Sequence, residues 1–339
     1  MRAVVYSQPG SSDVLQLVER PDPEPGPGQV RVRLVRAGVN PTDWKKRAAV
    51  SGDMGFPEIT PGQDGAGFVD AVGPGVTSAK VGDRVWLMLA QDGSPYGTAA
   101  DSVVVAEWKA HPLPDPVSFD VGAALGVPAV TAHRALTSGY VHRLAPGALA
   151  GQVVLVQGGA GAVGHAAIQL ATWAGATVVA TVSSPEKAEL ARAAGARHVV
   201  DYKASDVREA VRAVAPDGVD LVVELAPAAN NDADRELARS GATIAIFANE
   251  GGDALSMPVR ATFSKNLRYQ FFLLYGVPQP LLVDAAEDIT VALGRGVIRV
   301  GEENGLPIRH YPLEEAGAAH DAVEQGVVGK VLLDLQDVS

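Results

Sequence analysis

Short runs in which apolar and polar residues alternate fill the first third of the chain: Arg2–Tyr6, Gln29–Val35, Gly67–Val72, Arg84–Leu87 and Ser102–Val105. A period of two puts one set of side chains on each face of a pleated strand, so these runs predict half-buried β-strands. The clusters Pro21–Gly28, Gly73-Pro74-Gly75 and Asp92-Gly93-Ser94-Pro95 separate them and predict turns, the first an ordered surface loop and not a linker. Near Asp120 the pattern changes. Ala123–Ser138 predicts a helix around the Val127-Pro128 step. Strands then follow at Gln152–Gln157, Thr177–Val182, His198–Val200, Val219–Glu224, Gly241–Phe247 and Leu267–Leu274, with helices at Ala162–Trp173 and Pro185–Ala194 among them. Strands alternating with helices predict an α/β fold with a parallel sheet and crossover helices. Leu281–Leu293 predicts a further helix. The tail, with Ile308–Tyr311, helical Glu314–Gln325 and Lys330–Leu335, breaks the alternation and is expected to return to the first domain.

A chain of 339 residues is long enough for two cores, since single cores stop growing at roughly 250–300 residues. The net charge of −11, with no basic run longer than Lys45-Lys46-Arg47, argues against nucleic acid as a partner. No apolar run approaches the roughly 20 residues of a membrane-spanning helix. The start, Met1–Gly10, enters a strand pattern without the apolar region of a signal peptide. The expectation is a soluble cytoplasmic protein. There is no cysteine, which excludes disulfides, thiol nucleophiles and cysteine-based zinc sites.

The densest motif is Val153-Val154-Leu155-Val156-Gln157-Gly158-Gly159-Ala160-Gly161-Ala162-Val163-Gly164. Gly159, Gly161 and Gly164 satisfy G-x-G-x-x-G between a predicted strand and a predicted helix. That context suits a pyrophosphate, which must approach bare backbone N–H groups at a helix N-terminus. Gly158 through Gly164 are therefore the candidate phosphate cradle; a glycine-rich turn without a ligand is the alternative. An NAD enzyme usually places an acid about 20 residues past the glycines. Here stand Ser183-Ser184-Pro185-Glu186-Lys187. Ser183, Ser184 and Lys187 suit a 2′-phosphate, and Glu186 is expected to point outward from the first helical turn. The predicted cofactor is NADPH.

Several segments together resemble the zeta-crystallin-like quinone oxidoreductases, zinc-independent members of the medium-chain dehydrogenase/reductase superfamily. They are Ala37–Pro41, Thr60–Gly67, Val81–Val85, Leu125–Ala132, the glycine loop and Gly329-Lys330-Val331. The resemblance implies a GroES-like β domain built from both chain ends (1–122 and 301–339) around a Rossmann domain (123–300). It implies that Asn40 and Gln63 stand where zinc alcohol dehydrogenases place a Cys and a His, so that no metal is bound. Since catalytic zinc needs three protein ligands, alcohol oxidation is disfavoured and direct hydride acceptors are favoured. His111, His133, His142 and His165 show no metal spacing and read as packing or surface residues. By position, Thr131 resembles the threonine near the nicotinamide, Tyr202 the residue beside the adenosine phosphate, and Lys330 a basic residue able to reach that phosphate. A homodimer paired through Leu267–Leu274 is implied as well.

Within this resemblance, Asn40-Pro41-Thr42-Asp43-Trp44-Lys45 is similar to the enone and alkenal reductases of the superfamily, where the lysine lies near the nicotinamide ribose and the substrate carbonyl. Asn40, Asp43 and Lys45 are the catalytic candidates, with Asn40 and Lys45 as donors to a developing enolate. Asn40 as a turn cap and Lys45 as part of a solvated helix are the structural alternatives. Phe247, Phe271, Phe272 and Tyr275 form either an aromatic wall, with Phe247 and Phe272 at the cofactor, or plain core. The expected substrate is a small apolar quinone or enone. An enoyl reductase, or an NADPH-binding structural protein like the lens crystallins, are the other readings.

Overall fold

The computed structural model describes residues 1–50 and 52–336; Ser51 and the last three positions of the expected 301–339 segment lie outside the described residues. The chain forms two compact units, Met1–Val127 with Pro307–Ser339, and Pro128–Leu306.

The first unit is built on a sheet in the order Ile308–Pro312, Lys330–Asp334, Gln29–Val39, Asp64–Val72, Arg84–Leu87 and Ala110–Pro112, with Ser102–Ala106 also paired to Gln29–Val39. Val30, Val32, Leu34, Val69, Val85, Val103 and Leu333 alternate inward and form its core. The strand expected at Gln29–Val35 runs on to Val39, because Lys330–Asp334 pairs antiparallel with its far end: Val331 opposite Val39, Leu332 opposite Gly38. The chain's tail thus closes the sheet begun near its start. The helices Pro41–Arg47 and Ala316–Glu324 are tied by the Arg47–Glu324 ion pair at 2.8 Å.

The second unit is a six-stranded parallel sheet in the order His198–Asp201, Thr177–Val182, Val153–Val156, Val219–Glu224, Ala238–Ile246 and Arg268–Phe271. In chain order this reads 3-2-1-4-5-6, the doubly wound dinucleotide arrangement. The order reverses at Val153–Val156, and ligands of such sheets sit at the carboxyl ends of the strands there. Leu155, Val179, Val222 and Ile244 form its buried centre.

The single helix expected over Ala123–Ser138 is two helices, Phe119–Ala123 and Gly126–Leu136. The second starts where the Val127 backbone N–H donates to Asp64 Oδ1 at 2.7 Å. Pro128, which has no N–H, then fits its first turn at no cost in hydrogen bonds. Three helices without an expectation also appear, Val207–Val214, Pro227–Leu237 and Val259–Phe263. Among the described residues no helix is long and apolar enough to cross a membrane.

The histidines sit mostly inside. His111 packs against Trp86 with ring centres 4.9 Å apart, His165 meets the Asn304 carbonyl at 2.9 Å, and His320 is 1% exposed. Burial pushes His111 and His165 down to about 4 and His320 to about 3. Each folded value lies below the unfolded value near 6.5, so each contributes stability that is present above about pH 6.5 and lost as pH falls toward the folded value. The loss is on the order of 3 kcal/mol apiece by about pH 4. Asp43 and Asp234, whose carboxyls are held above the ordinary range, take up protons in the fold and act in the opposite direction, so the check is site-specific: the imidazole NMR signals of His111, His165 and His320 should remain those of neutral rings at pH 5, and protonated rings at that pH would contradict neutral burial.

Candidate active site

The cradle begins where the strand Val153–Val156 ends. Gly158 has φ +68°, in the left-handed region that favours glycine. Gly161 N donates to the Gly158 carbonyl at 3.0 Å to close the turn, and the helix Ala162–Trp173 starts at once with Gly161 as its N-cap. Gly161 has no side chain to cap the helix, so the first-turn N–H groups face the turn bare. A Cβ on Gly164 would lie 2.3 Å from the Gly158 oxygen and 2.9 Å from Gly159 Cα. That backbone crowding fixes glycine at Gly164 and lets the helix lie against the turn. A Cβ on Gly161 would meet only the Gly158 oxygen, at 3.4 Å. The open side of the loop is therefore the one a phosphate would use. Ala160 is buried; Ala162 and Val163 are half-buried.

The loop is held from beneath. Gly158 N donates to Thr181 Oγ1 at 3.3 Å, the Thr181 hydroxyl donates to Gln157 Oε1 at 2.6 Å, and Gln157 Nε2 donates to Asp234 Oδ1 at 2.8 Å. Asp234 is fully buried beside Glu224, and burial together with that neighbour holds its carboxyl well above the ordinary range. Sequence reading missed this support. Its only signal was polar residues on otherwise apolar elements.

Next to the loop, the strand Thr177–Val182 delivers the adenosine-end candidates. Ser184 caps the helix Pro185–Ala193 by accepting from Lys187 N at 3.3 Å, and Lys187 Nζ donates to Ser183 Oγ at 3.0 Å. Tyr202 is exposed, and its backbone N–H donates to the Val182 carbonyl at 3.0 Å. The structure thus brings Ser183, Ser184, Lys187 and Tyr202 to one strand end. Glu186 is exposed, yet its own N–H and the Ser184 hydroxyl hold its carboxyl below the ordinary range. Phe247 and Phe272 are half-buried, with their N–H groups on the Glu224 and Ile246 carbonyls. Thr131 is buried on the helix Gly126–Leu136.

In the first unit, the catalytic candidates fall into a buried polar cluster. Lys330 Nζ lies 2.6 Å from Asn40 Oδ1 and 3.1 Å from Asp64 Oδ2, and Asn40 Nδ2 donates to Asp64 Oδ2 at 2.7 Å. Lys330 is 2% exposed and Asp64 0%. This corrects the expectation for Lys330. Its ammonium is committed to a buried carboxylate and is not available to an adenosine phosphate. Asn40 is likewise corrected from an open donor to the bridge between Lys330 and Asp64. Asp43 accepts the Asn40 backbone N–H at 2.7 Å in a capping box at the start of Pro41–Arg47. Burial lifts its carboxyl to about 7, while hydrogen bonds from the Asn40 and Gly62 backbones pull the other way. Lys45 is half-buried, its ammonium 5.8 Å from the centre of the Trp44 ring. The neighbouring Lys46, not singled out from sequence, donates to Gln91 Oε1 at 3.1 Å, and Gln63 Nε2 donates to the same oxygen at 3.2 Å.

Comparison with known proteins bears on these sites. Residues 26–115 match the family described as alcohol dehydrogenase GroES-like domain, and 162–287 match that described as zinc-binding dehydrogenase. The chain is 30% identical to the quinone oxidoreductase of Rattus norvegicus over 98% of its own length and 97% of the relative's. It is 31% identical to that of Lama guanicoe, over 99% and 98%. It belongs to the zeta-crystallin-like quinone oxidoreductase family. Among solved structures, an Escherichia coli quinone oxidoreductase complexed with NADPH is 25% identical with a TM-score of 0.81, over 98% of this chain and all of that one.

Quinone oxidoreductases of this family share the superfamily whose zinc-binding model matches here, so the donor set needs testing against a metal. It does not fit catalytic zinc. Asn40 and Gln63 are carboxamides, not the thiolate, imidazole or carboxylate that zinc takes, and the Asn40 amide is consumed by Asp64 and Lys330. Among the described residues no three His, Asp or Glu side chains are grouped to hold an ion. The cradle, by contrast, fits a dinucleotide: its backbone leaves room on one side only, and that side carries bare N–H groups.

Proposed function

We propose that this chain is an NADPH-dependent, zinc-independent reductase that transfers hydride to a small apolar quinone. The observation that carries this is the glycine turn at Gly158–Gly164, crowded behind Gly164 and open beside Gly161. The turn's N–H groups and the N-terminus of Ala162–Trp173 would hold the pyrophosphate. Ser183 and Lys187, with Tyr202 alongside, would hold the 2′-phosphate, a choice supported by the Lys187–Ser183 contact at that strand end. When bound, the dinucleotide supplies the hydride. The chain's own part is to fix it and to meet the charge that grows on the acceptor's oxygen with preorganised donors.

Reduction of an activated C=C bond is the second reading, favoured by Lys45 in Asn-Pro-Thr-Asp-Trp-Lys. We further propose a homodimer. Arg268–Phe271 is the edge strand of its sheet, with Phe271 54% exposed in it and Leu273 67% exposed just beyond it; an exposed edge strand invites pairing with a second chain.

NADPH oxidation measured against benzoquinones, alkenals and cyclic enones tests the assignment. Turnover of quinones ahead of enones supports it. Preference for enones selects the second reading, and turnover of neither overturns both.

A further inference from the structure

Among the ammonium groups withdrawn from water in the first unit, Lys330 and Lys46 are held differently. Lys330 faces a full carboxylate, Asp64. Lys46 is half-buried, and its hydrogen-bond partner is a neutral carboxamide, Gln91 Oε1 at 3.1 Å. Gln91 is itself fixed. It is 2% exposed, its Nε2 donates to the Ser94 carbonyl at 2.8 Å, and its Oε1 also accepts from Gln63 Nε2 at 3.2 Å. Gln63 is 4% exposed, and its Oε1 is buried with no hydrogen-bond partner. A buried acceptor left unpaired costs about 1–3 kcal/mol, so an orphan of this kind asks for a donor that the chain itself does not provide.

Lys46 and Gln63 therefore share the Gln91 oxygen as a common anchor. Lys46 offers N–H donors beyond the one that Gln91 uses; Gln63 offers a vacant acceptor. A ligand oxygen that accepts a hydrogen bond as a carbonyl and donates one as a hydroxyl matches both, in its oxidised and reduced forms respectively.

We infer that Lys46, oriented by Gln91 and Gln63, is the electrophile that receives the acceptor's carbonyl oxygen, and that Gln63 Oε1 takes the hydroxyl formed there. The inference rests on the reductase reading above. When bound, the reduced dinucleotide would supply hydride to the conjugated acceptor. The π pair moves onto the carbonyl oxygen, the Lys46 N–H bond breaks as the O–H bond forms, and solvent returns a proton to the amine. The new O–H donates to Gln63 Oε1. Lys46 is thus a catalytic residue and Gln91 a positioning one.

The groups acting on the Lys46 charge are Asp43 on its own helix and Asp92 on the loop carrying Gln91; both favour the ammonium, while burial outweighs them and lowers its pKa. Lys46→Met should lower quinone turnover by roughly 10²–10³-fold, the loss typical of one preorganised donor, whereas Lys80→Met, on the exposed surface of the same unit, should leave it within a few-fold. Lys46→Arg should restore part of the rate and remove its decline at alkaline pH, because arginine does not deprotonate there.

A second readout needs no turnover. 4-Nitrophenol added to the wild-type protein with NADP⁺ should bind as the phenolate, its absorbance appearing below the free phenol's pKa, and Lys46→Met should abolish that shift. Binding of the neutral phenol alone by the wild type, or unchanged quinone turnover in Lys46→Met, overturns the inference. Failure of the reductase reading looks different: the wild type would then reduce no acceptor with either dinucleotide.

Discussion

Lys330→Met is expected to destabilise the protein by about 3–5 kcal/mol, the usual result of breaking a buried ion pair by removing one partner. Asp64 would keep only the Val127 N–H and the Asn40 amide as donors, and its carboxylate would be buried without a countercharge. Denaturant unfolding should show the loss as a lower midpoint at unchanged slope. The double variant Asp64→Asn/Lys330→Met should recover much of it, because the orphaned charge is gone. The same experiment separates this placement from a phosphate-binding Lys330. In that case Lys330→Met would weaken NADPH binding and leave the unfolding midpoint unchanged.

The glycine loop yields the second large effect, and it splits by position. Gly164→Ala puts a methyl 2.3 Å from the Gly158 oxygen, where both partners are backbone and cannot step aside. Overpacking of this kind costs typically 1–3 kcal/mol, and the helix must lift from the turn, so both stability and dinucleotide binding should fall. Gly161→Ala differs. Its φ of −80° and ψ of 161° suit alanine, and its nearest neighbour would be 3.4 Å away. Stability should fall by no more than about 1 kcal/mol, the cost of alanine at an N-cap, while binding drops at least about tenfold, equivalent to 1.4 kcal/mol, because the methyl would occupy the phosphate's side of the loop. Equal losses of stability in the two variants would contradict this assignment of the loop's two faces.

Both loop faces trace back to features legible in the sequence. The run from Val153 to Gly164 and the strand at Thr177–Val182 combine apolar periodicity with glycine spacing, two local signals that agree. The helix Pro227–Leu237 was not legible, because two of its four buried positions, Asn231 and Asp234, are polar, and a polar residue turned inward defeats a hydrophobicity pattern. The Lys330–Asp64–Asn40 cluster was out of reach for another reason. Its members lie 266 and 290 residues apart in pairs that only the closed sheet brings together. Position within a family motif suggested a ligand role for Lys330; burial assigned it a different partner. Lys45 and Lys46 are neighbours of equal charge in one short helix, and sequence has no means to say which of them meets Gln91.

The most direct measurement is equilibrium titration of the purified protein, and of Lys187→Glu, with NADPH and with NADH. The account predicts that the wild type binds NADPH at least about tenfold more tightly than NADH, and that Lys187→Glu removes the preference while leaving NADH binding intact. Equal affinity of the wild type for both dinucleotides, or binding of neither, would contradict it.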